Sequence, residues 1–247
     1  MRSNPDKPEE VFDPFCQDVQ QIFGKDVVSI ILFGSAATDD YIPKKSDINF
    51  LVVLTPRGIE DIGAVQKYVA RWEKRNISIP LFLTKEYIEA SLDSFPVEFL
   101  NMQLVYRVLR GEDVLKGLTI KRTDLRLQCE RELKGNLLKL RQGFIETGGR
   151  VKPLRMLIVR SIVAFASIFK GLLYLKGQEV PKTKQEVLLA TCREFKLDEG
   201  LFSVLLSVKK YEAKLTKDQL EKNVKRYIQE IQKLSTVVDR MTFTKKK

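Results

Sequence analysis

The sequence predicts an α+β protein in which a small mixed sheet with helices is followed by a helical bundle. Short apolar runs rich in β-branched residues are confined to residues 1–120, whereas residues 121–247 repeat apolar side chains every three or four positions. The charge changes at the same point. Lys and Arg number 14 against 18 Asp and Glu before residue 121, and 29 against 14 after it. We therefore expect two domains, 1–120 and 121–247.

Helices and strands alternate in the first half. Val11, Phe15, Val19 and Ile22 recur at helical spacing before Gly24 and predict a helix. The remaining predicted elements of this half are strands at Val27–Phe33 and Ile48–Leu54, a helix at Arg57–Arg75, a strand at 77–84, helical pieces within 85–103 and a strand at 104–111. The strand at 77–84 is expected near an edge of the sheet, because its proline cannot donate a ladder hydrogen bond.

The second half reads as a bundle of amphipathic helices. The first helix is expected to begin with Asp124 as its N-cap and to stop at Gly148-Gly149. Pro153 suits the start of a second, apolar helix that runs to about Gly177. Charged residues interrupt the apolar window of this helix, so we expect a buried helix rather than a membrane span. Further helices are predicted at 184–195, at 198–211 and from Lys217 to Met241, followed by a basic tail, 244–247.

Two residue counts restrict the chemistry. The sequence of 247 residues contains no histidine, which excludes catalytic triads and metal sites that need imidazole. Any divalent metal would then be bound through oxygen, which favours Mg²⁺ or Mn²⁺ over zinc. The three cysteines are far apart and odd in number. Together with the polar N-terminus, which lacks a signal-like segment, they indicate a reducing cytoplasm.

The segment from Ile30 to Leu54, "IILFGSAATDDYIPKKSDINFLVVL", carries the candidate site. Gly34 lets a backbone approach an anion closely, and Ser35 adds a hydroxyl at an expected helix start, where free N–H groups favour phosphate. Asp47 and Asn49 stand two residues apart at a strand start, so their side chains point to the same face. A phosphate-binding turn beside two such ligands is what a Mg²⁺–triphosphate site requires.

These residues resemble the signature of the nucleotidyltransferase superfamily, which includes the kanamycin-type and minimal nucleotidyltransferases. "FGS" followed by "SDIN" on a strand, with eleven residues between Ser35 and Asp47, is similar to its Gly-Ser turn followed by Asp-x-Asp or Asp-x-Glu. The resemblance implies transfer of a nucleoside monophosphate from an NTP with two metal ions. It implies that Gly34 and Ser35, with Ser46, bind the nucleotide phosphates, and that Asp47 and Asn49 are the catalytic and metal-binding pair. It also implies a third carboxylate on a later strand.

The sequence departs from that pattern at two places. Position 49 is Asn, a neutral ligand, and no Asp or Glu occurs between Glu73 and Glu86, where the later strand is predicted. Two Mg²⁺ ions side by side would lack most of their neutralising charge, whereas one ion arriving with ATP brings ligands of its own. Asp39 and Asp40 in the loop and Glu86 after the strand could each supply a carboxylate instead. Outside the motif, Glu98 is a further acidic candidate near the site.

Three functional hypotheses follow. The first is a nucleotidyltransferase-fold protein with an impaired two-metal site that binds an NTP and one Mg²⁺ in a regulatory or binding role. The second is an active nucleotidyltransferase with an unknown hydroxyl acceptor. The third is an RNA- or protein-binding scaffold that uses the basic helical half. Residues such as Lys134 and Arg141 could contact phosphate in that half, or could simply face solvent.

Overall fold

The computed structural model describes residues 5–38, 41–43, 46–210, 213 and 215–242. The predicted basic tail therefore lies outside the described residues. The chain divides into two compact units, one of Met1–Asp93 with Glu98–Ile120 and one of Ser94–Val97 with Lys121–Lys247. The first unit contains the sheet, and the second is helical.

The first unit is built on a four-stranded mixed sheet with the strand order β3-β2-β1-β4. β1 is antiparallel to both β2 and β4, and β2 is parallel to β3. The strands are β1 (Val27–Phe33), β2 (Asn49–Leu54), β3 (Leu81–Leu83) and β4 (Tyr106–Gly111), and the helices are α1 (Phe12–Phe23), α2 (Pro56–Glu60), α3 (Gln66–Lys74), α4 (Lys85–Ala90) and α5 (Pro96–Leu104). The predicted mixed sheet with helices is confirmed, including the edge position of the third strand.

Aromatic packing holds α1 and α3 on one face of this sheet. The ring of Phe15 stacks on Phe50 of β2 with 4.0 Å between centroids, and Trp72 of α3 packs against Phe15 at 5.2 Å. The indole nitrogen of Trp72 donates a hydrogen bond to Asp18 at 2.9 Å, which satisfies the one polar group of a ring that is otherwise buried. The end of α3 is thereby anchored in the core.

Two predicted elements of this unit differ in the structure. The helix predicted at Arg57–Arg75 is interrupted after α2 by a 3₁₀ turn, Ile62–Val65, which contains a glycine of low helix propensity. The strand predicted at 77–84 shortens to β3, preceded by an isolated bridge between Ile77 and Ile48. Pro80 lies between the bridge and β3 and cannot donate to the ladder.

The second unit confirms the predicted helical bundle. Its helices are α6 (Arg122–Glu146), α7 (Val151–Leu175), α8 (Lys184–Phe195), α9 (Glu199–Lys209) and α10 (Lys217–Asp239). Asp124 is not the N-cap of α6, since the helix begins at Arg122 and Asp124 lies in its first turn. A carboxylate there still interacts favourably with the helix dipole.

The apolar helix α7 lies at the centre of this bundle. Its length and composition alone would allow it to cross a membrane, a test that the core helix of a soluble protein also meets. Half of its most apolar window is buried. Phe165 and Phe169 of α7 pack with Phe202 of α9 and Tyr227 of α10 at centroid distances of 5.6–6.3 Å. These contacts are those of a core helix.

Candidate functional site

The turn that follows β1 is a short 3₁₀ helix rather than the start of an α-helix. It spans Gly34–Ala37, and Gly34 has a φ of +79°, a conformation that favours glycine. The Ser35 carbonyl accepts hydrogen bonds from the backbone N–H of Thr38 at 3.1 Å and from its hydroxyl at 3.0 Å. The expected helix start at Ser35 is therefore a single 3₁₀ turn and not the N-terminus of an α-helix. The turn is closed by Thr38 and lacks the dipole of a longer helix.

Asn49 lies directly against this turn. Phe33 of β1 pairs with Asn49 of β2, and Gly34 is the residue that follows Phe33 in the chain. A Cβ built on Gly34 would lie 3.4 Å from the Asn49 amide nitrogen, which is ordinary van der Waals contact. The half-buried Asn49 side chain thus adjoins the glycine turn, as a residue that faces a bound phosphate would have to.

Asp47 is exposed and precedes the sheet by two residues. Among the residues that the structure describes, none forms a hydrogen bond or an ion pair with its carboxylate. Ile48, between Asp47 and Asn49, is fully buried and bridges to Ile77. The alternation along the strand therefore directs Asp47 and Asn49 away from the core face.

Ser46 closes the end of the loop. Its hydroxyl oxygen accepts from the backbone N–H of Ile42 at 3.0 Å, and its own N–H donates to the Ile42 carbonyl at 2.9 Å. The Ser46 carbonyl accepts from the side-chain amide of Asn76 at 2.6 Å. The structure thus gives Ser46 a role in shaping the loop, and its hydroxyl keeps a hydrogen to donate.

The chain segment beside β2 supplies no carboxylate to the face that Asn49 occupies. Ile77 shares the core face with Ile48, so the next residue, Ser78, points to the face of Asn49. Further along, Leu81 and Leu83 pair with residues of β2 that share this face. A serine and two leucines therefore line the positions from which a third carboxylate would reach the site. The part of the chain that the structure describes contains no group of three or more Asp, Glu, His or Cys that could hold a metal.

Glu86, the carboxylate that follows the third strand, lies toward the opposite end of the sheet. β3 runs parallel to β2, and Leu83 pairs with Val53, which is four residues or roughly 13 Å of strand beyond Asn49. Glu86 follows in the first turn of α4, where hydrogen bonds from its own backbone N–H and from Thr84 lower its pKa. It therefore acts as part of a helix start. The two loop carboxylates, Asp39 and Asp40, lie outside the described residues.

The remaining sequence candidates are Glu98 in the first unit and two basic residues of the helical unit. Glu98 is an exposed residue of α5. Lys134 pairs with Glu130 of its own helix and with Asp239 of α10 at 2.9 Å, and these carboxylates raise its pKa. Arg141 donates to the side chain of Gln232 at 2.6 Å. Lys134 and Arg141 thus link α6 to α10.

Comparisons with known proteins identify a similar domain and a similar fold. Residues 14–101 match the family model of the nucleotidyltransferase domain. The structure is similar to that of spectinomycin adenyltransferase AAD(9) from Enterococcus faecialis with ATP and spectinomycin, with a TM-score of 0.56 and 10% identity. The match covers 91% of this chain and 99% of that chain. No curated protein is significantly similar in sequence.

The N-terminal unit therefore matches a nucleotidyltransferase domain over residues 14–101 and has its fold, as the sequence motif predicted. The similarity to the adenyltransferase extends through the helical region and shows that the chain as a whole has that fold.

Sequence reasoning missed two residues that the fold brings to the motif, Asn76 and Ser78. They follow α3 in sequence, about 30 residues after Asp47, and reach it only because β2 and the segment before β3 run side by side. An asparagine between a helix and a strand is a turn signal in the sequence. Its partner in the loop is visible only in the structure.

Proposed function

We propose that the N-terminal domain binds a nucleoside triphosphate together with one Mg²⁺, in a binding or regulatory role, and that two-metal nucleotidyl transfer is impaired. The observation that carries the proposal is the set of side chains on the site face. Asp47 is its one carboxylate among the described residues, and it is accompanied by Asn49 and Ser78. The match to the nucleotidyltransferase domain and the ATP in the similar adenyltransferase support a nucleotide as the ligand.

The donors present suit one ion better than two. An Asp47 oxygen and the Asn49 carbonyl would offer two ligands, and a triphosphate would supply further oxygens and negative charge. Two Mg²⁺ ions about 4 Å apart repel each other by ~16 kcal/mol at an effective dielectric of 20, since each carries two charges. One carboxylate offsets only a fraction of this repulsion. A single Mg²⁺ carried by the nucleotide avoids it.

Thermal unfolding tests the binding step. We expect Mg–ATP, Mg–GTP or Mg–CTP to raise the melting temperature, since a ligand at 100 times its Kd stabilises the native state by ~2.7 kcal/mol. Asp47→Asn should reduce the shift because it removes the one carboxylate that the described residues bring to the site. Asp61→Asn, at an exposed residue of the same domain, is the matched control and should melt and shift like the wild type. The absence of a shift with all three nucleotides at millimolar concentration would contradict the proposal.

An active nucleotidyltransferase is the second candidate, and the similarity to an adenyltransferase over nearly the whole chain favours it. The two functions differ in product. We expect no pyrophosphate release from labelled NTP over a panel of hydroxyl-bearing acceptors, together with the melting shift described above. Pyrophosphate release that requires Asp47 and one particular acceptor would show that the protein is an active nucleotidyltransferase and would contradict the binding role.

A further inference from the structure

We infer that Asn76 is a positioning residue that holds Asp47 in place for the Mg–nucleotide, an inference that rests on the proposed function. Asn76 contacts the residues on both sides of Asp47. Its side-chain amide donates to the Ser46 carbonyl at 2.6 Å, and its own carbonyl accepts from the Ile48 N–H at 3.0 Å. The backbone of Asp47 is thereby held at both peptide groups that flank it.

These two hydrogen bonds of Asn76, to Ser46 and to Ile48, form a clamp on Asp47. The need for the clamp follows from the surroundings of Asp47. The Asp47 side chain is exposed, and none of the described side chains fixes its direction by a hydrogen bond or an ion pair. Ser46 is joined to Ile42 and therefore belongs to the loop, whereas Ile48 belongs to the buried sheet. Asn76 joins these two parts across Asp47.

Asn76 is itself held firmly. Its N–H donates to the Glu73 carbonyl at 3.1 Å, and the following residue, Ile77, donates to the Trp72 carbonyl at 3.0 Å. Trp72 is anchored in the core by its rings and by Asp18. The position of Asp47 is thus linked through Asn76 to the end of α3 that Trp72 packs into the core.

The backbone of Asn76 explains the residue type. Its φ is +60°, in the left-handed region where asparagine is enriched among non-glycine residues. Glycine would adopt this conformation without strain but would lack the amide that donates to Ser46. Asparagine combines the left-handed conformation with a side-chain donor. Mutation to glycine should therefore keep the backbone conformation and remove only the hydrogen bond to Ser46.

The test compares Asn76→Gly with Lys196→Gly, which changes the other positive-φ side chain among the described residues, in the helical unit. Both variants should fold. We expect Asn76→Gly to raise the Kd for Mg–ATP by about 10-fold or more, as loss of an outer-shell partner of a metal ligand does. Lys196→Gly should leave the Kd unchanged. An unchanged Kd in Asn76→Gly would overturn the inference.

A double-mutant cycle distinguishes positioning from general destabilisation. In an Asp47→Asn background, Asn76→Gly should have little further effect on the Kd, because its effect acts through the Asp47 carboxylate. An equal loss of Mg–ATP affinity in both backgrounds would show that Asn76 does not act through the Asp47 carboxylate and would overturn the inference.

Amide hydrogen exchange gives a readout that needs no nucleotide. In Asn76→Gly the exchange of residues 46–48 should accelerate at least 10-fold relative to wild type, and Lys196→Gly should leave it unchanged. If the wild type binds no nucleotide, the proposed function fails, and the exchange rates still report whether Asn76 holds the loop. Unchanged exchange at residues 46–48 would overturn the clamp.

Discussion

At the scale of single residues, the chemistry of the site depends on which side chains stand on one face. Asp47 could donate charge to a metal, whereas the neighbouring Asn49 and Ser78 could offer only neutral oxygens. Because the neutral side chains at positions 49 and 78 are local features, they can be replaced by carboxylates without changing the fold.

We expect the double substitution Asn49→Asp with Ser78→Glu to tighten Mg²⁺ binding by 10-fold or more, because it places two further carboxylates on the face of Asp47. Isothermal titration with Mg²⁺ in the presence and absence of ATP measures the change. Gln66→Glu, which adds a negative charge at an exposed residue of the same domain, is the control. Unchanged Mg²⁺ affinity in the double variant would mean that positions 49 and 78 do not face the metal.

The buried cysteines make a separate prediction about pH. Burial raises the pKa of the Cys192 thiol from 9.0 to about 12, with smaller contributions from nearby carboxylates. Between those values the unfolded chain releases a proton that the native chain retains, so the free energy of unfolding falls as pH rises from about 9 to 12. The slope reaches ~1.4 kcal/mol per pH unit for one such group. Denaturant unfolding across this range should show a shallower decline in Cys192→Ala, and equal slopes would contradict the assignment.

At the scale of elements, the close approach of β4 to β1 depends on one glycine. Gly111 has a φ of +77°, and a Cβ on it would lie 2.0 Å from the Val28 carbonyl oxygen. The neighbouring Ser29 hydroxyl donates to the Glu112 carbonyl at 2.6 Å and joins the two strands at this point. The edge strand β4 is therefore held against β1 by a close backbone contact, which requires glycine at position 111.

Gly111→Ala should lower the free energy of unfolding by roughly 2–4 kcal/mol, since it combines overpacking with an unfavourable φ. Gly117→Ala is the matched control, because a Cβ there meets nothing within 4 Å. Chemical denaturation of both variants measures the difference. Similar stability of the two would show that β4 can move away from β1 at little cost.

At the scale of the whole molecule, the strongest asymmetry is electrostatic. Residues 121–247 carry 29 basic against 14 acidic residues. Part of this charge is neutralised locally, as in the pairs of Lys134 with Glu130 and Asp239. Lys222 and Lys225 of α10 are exposed and form no ion pair with any residue that the structure describes.

RNA binding measured against salt decides whether this surface binds phosphate. If the helical half is an RNA-binding scaffold, affinity for single-stranded RNA should fall steeply with salt, and Lys222→Glu with Lys225→Glu should reduce the log–log slope by about 1.4. Under the proposed function we expect weak binding without that dependence on the two lysines. A steep slope that the double variant reduces would favour the scaffold instead.

The sequence by itself determined the strands β1 and β2, the glycine turn between them, the spacing to Asp47 and the helical second half. These features depend on local periodicity and on residue types close together in the chain. It also established that no Asp or Glu occurs between Glu73 and Glu86. The break within the helix predicted at Arg57–Arg75 and the short 3₁₀ turn after Gly34 were not predicted, because hydrophobic spacing resolves one turn of helix poorly.

Only the tertiary structure decided what surrounds Asp47. The parallel pairing at Ile48 and Ile77 brings Asn76 and Ser78 to the motif, and it places Glu86 toward the far end of the sheet. Such contacts depend on strand order and register, which join residues about 30 positions apart. Residue spacing along the chain contains no information on either, so the clamp on Asp47 became visible only once the strands were paired.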